Sequence, residues 1–420
     1  MESSAAKIQA AQPKLWNRNF ILVLIGQLMS VFGNGVIRLA LPLYILYVTG
    51  NPALLGLITA ASAIPLLAMT PIGGALADRL RKKRIMLCLD AFVTVIIVLF
   101  MAATGIFAMT VPLVLLMLGA LNAVQGIYAP TVDASVPVIV PTGMLVRANS
   151  AVMAIHTLSA LGAPAVAGIL LGRFGISSII AIGAVFFAIA TLVDLFIRIP
   201  HKKQGVPEGG IWQAVKADVS RAGRFVAKEK PAIARCFAAI FLPGIAINGT
   251  LIVGLQVLIT QHLGMGTERV GLSQSIIAAG ILAGSVIVGL LGPRLKLKQA
   301  PLYMLLCCIF IAPIGLVFLF GVPPAAAYII ITAASAVTFA ILQPLVISAF
   351  SFVQAETPIE LMGKVVSLFT MIPALAGAVG ALIFGRLFGI FAESPYIVVL
   401  LAVAIVFVSA ILARILFRKI

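Results

Sequence analysis

The chain has 420 residues, of which 62% are hydrophobic and 10% are charged, and its formal net charge is +17. Soluble domains average roughly 45–50% apolar and 25% charged residues, so this composition excludes an ordinary soluble fold and indicates a protein dissolved in lipid. A charge of +17 is also typical of nucleic-acid-binding proteins, and the positions of the charges decide between the two interpretations.

Apolar runs of about twenty residues, each long enough to cross a bilayer core of about 30 Å as a helix, recur along the whole chain. They predict an all-α membrane protein with about twelve transmembrane helices in two pseudo-symmetric six-helix bundles. The first run is too long, and follows too polar a start, for a cleaved signal peptide. The predicted spans are 20–48, 53–77, 85–107, 110–138, 148–172, 176–198, 233–260, 269–292, 300–320, 324–352, 363–388 and 393–416.

Lys and Arg residues concentrate on one side of these spans. With a cytoplasmic N-terminus, 25 of the 29 fall in the two tails, in the linker or in segments that follow even-numbered spans. Short loops rich in Lys and Arg stay cytoplasmic, so the pattern predicts a bacterial-type inner-membrane protein with both termini cytoplasmic. Nucleic acid is therefore not an expected partner. The four exceptions are Arg38, Arg173, Arg269 and Arg386.

Short sequence matches repeat at an offset of about half the chain, which predicts a duplication. Asn34-Gly35 recurs as Asn248-Gly249, and Gly56-Leu57 recurs as Gly271-Leu272. The predicted domains are an N-terminal six-helix bundle over 1–198, a cytoplasmic linker over 199–232 and a C-terminal bundle over 233–420. Apolar residues at helical spacing between 211 and 230 predict an amphipathic helix in the linker, either as a plain connection or as a regulatory or partner-binding element.

The segment from Gly73 to Arg84 joins the second and third spans and reads Gly-Gly-Ala-Leu-Ala-Asp-Arg-Leu-Arg-Lys-Lys-Arg. It resembles the signature loop of the major facilitator superfamily, although Arg81 stands where that loop carries its second glycine. The resemblance implies a latch between the inner ends of the two halves; a topology anchor alone is the alternative. Gly74 is expected to let two helices approach closely. The expected latch and gate residues are Gly74, Asp78, Arg79, Arg81, Lys82, Asp90 and Asp194.

Three further segments resemble the macrolide-efflux and enterobactin-exporter branch of that superfamily. Asp90 lies early in the third span, Pro141 to Asn149 precedes the fifth, and Gly162 to Gly168 resembles the antiporter motif of the fifth. The resemblance implies a secondary transporter that works by alternating access.

Polar groups at membrane depth are costly and mark functional sites by default. Asp133 and Arg38 are expected to form a charge switch for proton coupling, with His156 as a further candidate; a buried ion pair is the alternative role for Arg38. Asp90 and Asp194 are expected to form gate or structural salt bridges, with Asp194 and Arg198 at i,i+4 spacing. The residues expected to line a central cavity are Gln27, Asn34, Arg38, Tyr128, His156, Asn248, Gln256 and Gln343.

The few buried charges favour a proton-coupled exporter of a hydrophobic or amphipathic small molecule. A siderophore exporter and a lipid or lysolipid flippase are the alternatives, while a sugar importer would need more buried polar groups. No motif of an enzyme is present, and neither a cofactor nor a metal is expected, since the four Cys residues lack metal-ligand spacing. The expected partners are the small-molecule or lipid-like substrate, protons and the bilayer, with the protein a monomer.

Overall fold

The computed structural model describes residues 15–200, 210–291 and 297–417, and within these ranges every regular element is helical. Eleven helices are long and apolar enough to cross a membrane. The helices are α1 Arg18–Thr49, α2 Pro52–Arg79, α3 Lys82–Ile106, α4 Val111–Ile139, α5 Leu145–Phe196, α6 Gly210–Arg224, α7 Pro231–His262, α8 Thr267–Leu291, α9 Ala300–Leu319, α10 Pro324–Glu356, α11 Ile359–Ile390 and α12 Pro395–Leu416.

α5 contains two membrane spans. Its 52 residues would extend about 78 Å as one helix, more than twice the thickness of a bilayer core. Gly175 interrupts it with φ 76° and ψ −177°, a conformation that favours glycine, and the chain reverses there. The described residues therefore hold twelve spans, which confirms the predicted number.

Local sequence explains where the helices begin and end. Asn17 caps α1 by accepting a 3.0 Å hydrogen bond from the Phe20 backbone N–H. α1 ends at Gly50, which adopts φ 62° and donates to the Leu46 carbonyl. Asn51 then caps α2, whose first residue is Pro52. Two antiparallel spans are thus joined by a two-residue connection.

The spans form two six-helix bundles, one from α1 to α5 and the other from α7 to α12. α1 and α2 pack on α5 and α4 in the first half, and α7 and α8 pack on α11 and α10 in the second. The halves meet through α2 against α11 and α5 against α8. We call the end where α1 and α3 begin and α4 ends the basic end, because Arg18, Arg81, Lys83 and Arg84 lie there, and the other end the opposite end.

The two contacts between the halves are equivalent. A Cβ on Gly385 would lie 2.8 Å from the Gly56 Cα, and a Cβ on Gly271 would lie 3.0 Å from the Gly168 Cα. Gly56 and Gly271 are the repeat glycines, so each half supplies the same residue to its contact. A Cβ on Gly271 would also overlap the Pro164 carbonyl oxygen, and one on Gly56 would overlap that of Ala381. Real Cβ atoms do not approach backbone oxygens so closely, and both contacts therefore require these glycines.

The close contacts between the halves lie toward the opposite end. The Thr267 hydroxyl donates to the Gly168 carbonyl across the halves at 3.1 Å, and Glu268 lies 3.8 Å from Arg173. At the basic end, by contrast, a Cβ on Gly74 or Gly363 would meet no described atom within 4 Å. The halves are therefore in closer contact at the opposite end than at the basic end.

α6 has strongly separated apolar and polar faces and contacts both α2 and α11. It continues into a π-helical turn, Phe225–Glu229, whose Phe225 and Val226 are buried with Ala222. The linker residues 201–209 lie outside the described residues, and the predicted domain boundaries stay a prediction.

Candidate functional site

A cavity of about 380 Å³ lies against the N-terminal half at mid-membrane depth. Its walls come from α1, α4 and the first span of α5. Apolar side chains and one proline alternate there with five polar residues. The cavity is lined by Val31, Asn34, Gly35, Arg38, Gln125, His156, Ser159, Ala160, Ala163 and Pro164.

The polar face of α1 is held by hydrogen bonds to the neighbouring helices. The Asn34 amide nitrogen donates to Gln125 Oε1 at 3.1 Å, and the Gln27 amide nitrogen lies 3.0 Å from His156 Nε2. An amide nitrogen only donates, so in this arrangement Nε2 of His156 accepts and the imidazole is neutral. The α1 stripe predicted from Gln27, Asn34 and Arg38 therefore faces α4 and α5.

Several acceptors of this face have no hydrogen-bond partner among the described residues. They are Gln27 Oε1, Asn34 Oδ1 and Ser159 Oγ, all buried. Buried polar atoms are normally paired. Asn34 and Ser159 line the cavity, so their unpaired atoms can bind a molecule that enters it, whereas Gln27 is not part of the lining.

Arg38 is exposed, and its side chain lines the cavity. No carboxylate of the described chain lies within ion-pair distance of it. The guanidinium therefore offers up to five donors to the cavity. The alternative expectation, an Arg38 ion pair buried between helices, does not match this geometry.

Asp133 and Arg38 are not brought together. Relative to the Asn34–Gln125 bond, Arg38 is four residues toward the opposite end and Asp133 is eight residues toward the basic end. At 1.5 Å per residue their separation along the bundle is about 18 Å. Asp133 is exposed, and the ionisable group that acts on it electrostatically is His156, with no ion pair between them in the described ranges. Asp133 and Arg38 therefore form no direct pair, and His156 is the titratable neighbour of Asp133.

Asp90 and Asp194 are both fully buried inside the N-terminal half, at 0% exposure. Ser30 Oγ donates to both oxygens of Asp90 at 2.9 Å. The expected role of the two aspartates in a gate between the halves is therefore wrong, because neither reaches the contact between them. The expected Asp194–Arg198 pair is also absent, because α5 ends at Phe196 and Ile197 is extended, which breaks the i,i+4 spacing.

Tyr128 is 2% exposed and packs in an apolar cluster of α1, α3, α4 and the end of α5. It faces Asp90 and Asp194 on the side of α4 away from the cavity. Its expected place in the cavity wall is wrong, because α4 presents Gln125 there instead.

The polar residues expected to line the cavity from the C-terminal half form hydrogen bonds within that half. Asn248 donates to the Gly244 carbonyl and Gln256 to the Ile252 carbonyl, each one turn back in α7. Gln343 Oε1 accepts from Ser285 of α8 at 3.5 Å. None of the three reaches a helix of the N-terminal half through a hydrogen bond among the described residues.

The signature loop lies at the basic end. Arg81 precedes α3, Lys82 begins it, and the half-buried Arg79 is the last residue of α2. The side chain of Asp78 lies outside the described residues. The close approach expected at Gly74 is made by Gly73, whose Cβ would meet the backbone of Gly126 and Ile127, since Gly73 and not Gly74 faces α4.

Sequence reasoning missed Gln125 and Ser159 as cavity residues. Gln125 is a polar residue inside the fourth predicted span, so a signal for it was present. Asn122, one turn before it, donates to the Ser62 carbonyl at 2.8 Å and thereby connects α4 to α2. Ser159 carries no comparable signal.

Comparisons with known proteins agree with this architecture. The Major Facilitator Superfamily model matches residues 23–381. Macrolide efflux protein A of Streptococcus pyogenes is 25% identical over 309 residues, covering 69% of this chain and 71% of the relative. Multidrug efflux pump Tap of Mycobacterium tuberculosis is 24% identical over 393 residues, covering 87% and 86%.

Solved structures show the same fold at low sequence identity. The nucleoside transporter NupG superposes with a TM-score of 0.76 at 16% identity, covering 96% of this chain and all of that one. A bacterial homologue of the lysosomal transporter Spinster, in an inward-facing and occupied conformation, gives 0.73 at 14% identity, covering 96% of each. From its helices, its repeat and these matches, the chain belongs to the major facilitator superfamily.

Proposed function

We propose that this transporter exports a hydrophobic or amphipathic small molecule in exchange for protons. The observation that carries the proposal is the wall of the cavity in the N-terminal half, where one arginine, one histidine, two amides and one hydroxyl stand among apolar side chains. Ligand sites of this kind take apolar molecules and orient them through a few polar contacts. The relatives named as macrolide and multidrug efflux proteins support the same assignment.

The substrate combines an apolar body with hydrogen-bonding groups. Arg38 supplies donors for a carbonyl, ether or anionic group, while Asn34 Oδ1 and Ser159 Oγ accept from hydroxyl or amine groups. Pro164 and the alanines on α5 contact the apolar body. A small, fully polar solute would leave this apolar wall uncovered.

Transport proceeds by rocking of the two bundles about the cavity. In this proposal the protein lies in the inner membrane of a bacterial-type cell. Its basic end faces the cytoplasm, and the opposite end, where the halves are in close contact, faces outward. The closed glycine contacts then correspond to the state that loads substrate from the cytoplasm. Release requires Gly168 and Gly271 to separate, together with their partners Gly56 and Gly385. A monomer contains both halves and suffices.

Protons enter at the ionisable groups near the basic end of the cavity. Asp133 is exposed and faces His156, whose Nε2 meets Gln27 on the α1 stripe. A proton on this pair changes the hydrogen bonding of α1, the helix that also carries Arg38. Binding of protons and substrate is thereby linked through one helix.

Reconstituted transport tests the proposal. Purified protein in proteoliposomes is assayed for counterflow and for pH-gradient-driven uptake of a radiolabelled macrolide, a catecholate siderophore and a fluorescent lysolipid. We expect macrolide counterflow, and accumulation only when the gradient is imposed. Transport of the siderophore or lysolipid alone would replace the substrate class, and accumulation without any response to the gradient would contradict proton exchange.

A further inference from the structure

Two buried aspartates of the N-terminal half have no role in the cavity. Asp90 of α3 and Asp194 of α5 lie within electrostatic range of each other, and both are completely buried. One turn deeper, the Thr94 and Thr191 hydroxyl oxygens are 3.3 Å apart, so α3 and α5 touch directly beside the aspartates. We call Asp90 and Asp194 the carboxylate pair.

The pair is poor in hydrogen-bond donors. Neither oxygen of Asp194 has a hydrogen-bond partner among the described residues, and a Cβ on Gly26 of α1 would lie 3.0 Å from its Oδ1. Among the described residues, Ser30 supplies the one hydroxyl that meets hydrogen-bond geometry at the Asp90 carboxylate, while the Tyr128 hydroxyl also faces it. Two ionised carboxylates would therefore lie in an apolar interior with only neutral hydroxyl groups facing them.

The surroundings contain a second unsatisfied group. The Tyr128 hydroxyl on α4 is buried and faces both aspartates without meeting hydrogen-bond geometry. Lys83 at the start of α3 is the cation that acts on Asp194, and its Nζ donates to the Leu195 carbonyl at 2.7 Å. Ser30 and Gly26 of α1 face the pair. Within the described ranges, no cation forms an ion pair with either aspartate.

We propose that Asp90 and Asp194 share one exchangeable proton and are the internal proton store of the transport cycle. The inference rests on the proposed proton exchange and adds a buried proton site beyond the Asp133–His156 pair. Two adjacent carboxyl groups that cannot both ionise hold one proton between them. The proton supplies the missing hydrogen bond, since a protonated Asp194 can donate to Asp90.

A bound metal cation fits the site less well. Carboxylate and hydroxyl oxygens are suitable ligands for Na⁺ or Ca²⁺, but Ca²⁺ takes six to eight oxygens, often including backbone carbonyls. Here Ser30 and Asp90 lie inside continuous helices, where the carbonyls are engaged in helical hydrogen bonds. Asp194 lies in the last turn of α5, where its own carbonyl accepts from the Ile197 N–H and the Leu195 carbonyl accepts from Lys83. A proton needs only the two carboxyl groups.

The pair lies between the basic end and the α1 stripe. A cavity of about 1180 Å³ opens at the basic end, and Lys83, Leu87 and Ile197 in its wall are within two turns of the aspartates. Toward the centre, Ser30 is one turn from both Gln27 and Asn34 on α1. Water can approach the pair from the basic end. On the side toward the centre lies the polar stripe of α1, the helix whose Ser30 binds Asp90.

Infrared spectroscopy of purified protein tests for the proton without using any substrate. A carboxylic acid has a carbonyl stretch distinct from that of a carboxylate, and burial slows its response to deuterium exchange. We expect such a band near neutral pH in the wild type, lost in Asp90→Asn and in Asp194→Asn and retained in the matched variant Asp133→Asn. A spectrum with no protonated-acid band at neutral pH would overturn the inference.

Two substitutions keep the carboxyl groups and so test the site even if an Asn variant fails to fold. Ser30→Ala removes the one donor to Asp90, and Tyr128→Phe removes the facing hydroxyl. Each should shift the midpoint of the band's pH titration in a folded protein. An unchanged midpoint in both would contradict a proton on this pair, and a band abolished by Na⁺ or Ca²⁺ would assign the site to a cation.

Transport separates this inference from the proposed function. In proteoliposomes, Asp194→Asn should retain macrolide counterflow at neutral pH, while the accumulation driven by a pH gradient should fall at least tenfold. If wild-type protein shows no gradient-driven accumulation, the proposed function fails. If the wild type accumulates substrate and both Asn variants match it, the inference fails while the function stands.

Discussion

In the N-terminal half, α1 uses Gln27 and Asn34 to bond α5 and α4, and it presents Arg38 to the cavity. In the C-terminal half, the repeat residue Asn248 turns back to a carbonyl of its own helix. At the same offset of 214, Phe241 and Ile252 of α7 stand where α1 has Gln27 and Arg38.

The halves therefore share equivalent contacts, whereas the ionisable residues of the cavity wall come from the N-terminal half. Gly35 of α1 and Gly249 of α7 both face a neighbouring helix at close range, Ala163 of α5 and Phe384 of α11 respectively. A rocking mechanism needs the matched contacts in both halves, whereas a proton or a ligand head group needs only one binding wall. The predictions below test whether the halves divide their work in this way.

The largest effect is expected from Gly271→Ala. The new Cβ would lie 3.0 Å from the Gly168 Cα, and overpacking of this kind costs about 1–3 kcal/mol. That penalty falls only on the closed contact, so the population closed at the opposite end should drop by roughly 5- to 150-fold. Spin labels on Arg173→Cys and Glu268→Cys report the separation.

Gly74→Ala is the matched control for Gly271→Ala, because its Cβ would meet no described atom within 4 Å. Its distance distribution should equal that of the wild type. An equal distribution for Gly271→Ala as well would mean that the glycine contacts do not set the state. Gly56→Ala, the repeat equivalent, should reproduce the effect if the halves are equivalent in closing.

Arg38→Ile is expected to come next. The substitution gives α1 the residue found at the repeat position of α7, and it removes the only described cation in the cavity wall. Hydrogen bonds to charged groups contribute about 1.5–3 kcal/mol, so substrate affinity should fall roughly 10- to 150-fold. Equilibrium binding of the substrate measures the change in affinity. Arg173→Gln, which alters an exposed arginine toward the opposite end, is the control and should bind with wild-type affinity.

The sequence predicted the transmembrane helices more completely than it predicted the residues of the site. Length and apolarity of each run were sufficient for twelve spans, including the break near Gly175. The α1 stripe was predicted because helical spacing fixes which residues share a face. Its partners, Gln125 in particular, depend on how α4 rotates against α1, which spacing within one helix does not specify.

Two of the incorrect site predictions share a cause, which is the rotation of a helix about its axis. Gly73, next to Gly74, makes the close approach, and Gln125, one turn before Tyr128, lines the cavity. The Asp194–Arg198 pair failed because the helix ended two residues before Arg198. Burial of Asp90 and Asp194 without a cation was not foreseen either, since membrane acids are expected to find partners.

A smaller effect is expected from Asp133→Asn. Loss of the carboxylate removes the charged group that faces His156, so gradient-driven accumulation should fall a few-fold while counterflow persists. His156→Gln should do the same. If the two act as one unit, the double variant should be no worse than either single variant. Additive losses would show that Asp133 and His156 work separately.

The smallest effect is expected where the halves use different chemistry for the same connection. Asn17 at the start of α1 donates to the Ile139 carbonyl at the end of α4, and Lys230 before α7 forms a 2.7 Å ion pair with Glu356 at the end of α10. Both side chains of the ion pair are more than a third exposed. Such pairs contribute about 0–1 kcal/mol and are screened by salt.

Glu356→Gln should therefore lower the free energy of unfolding by at most about 1 kcal/mol, and the difference should shrink further at high ionic strength. Thermal unfolding in detergent at low and high salt measures it. Asn17→Ala, which removes the bond to Ile139 and the cap of α1 but no charge, should show no salt dependence. A salt-independent loss for Glu356→Gln would instead mean that its carboxylate acts as a hydrogen-bond acceptor alone, as the Ile139 carbonyl does in the other half.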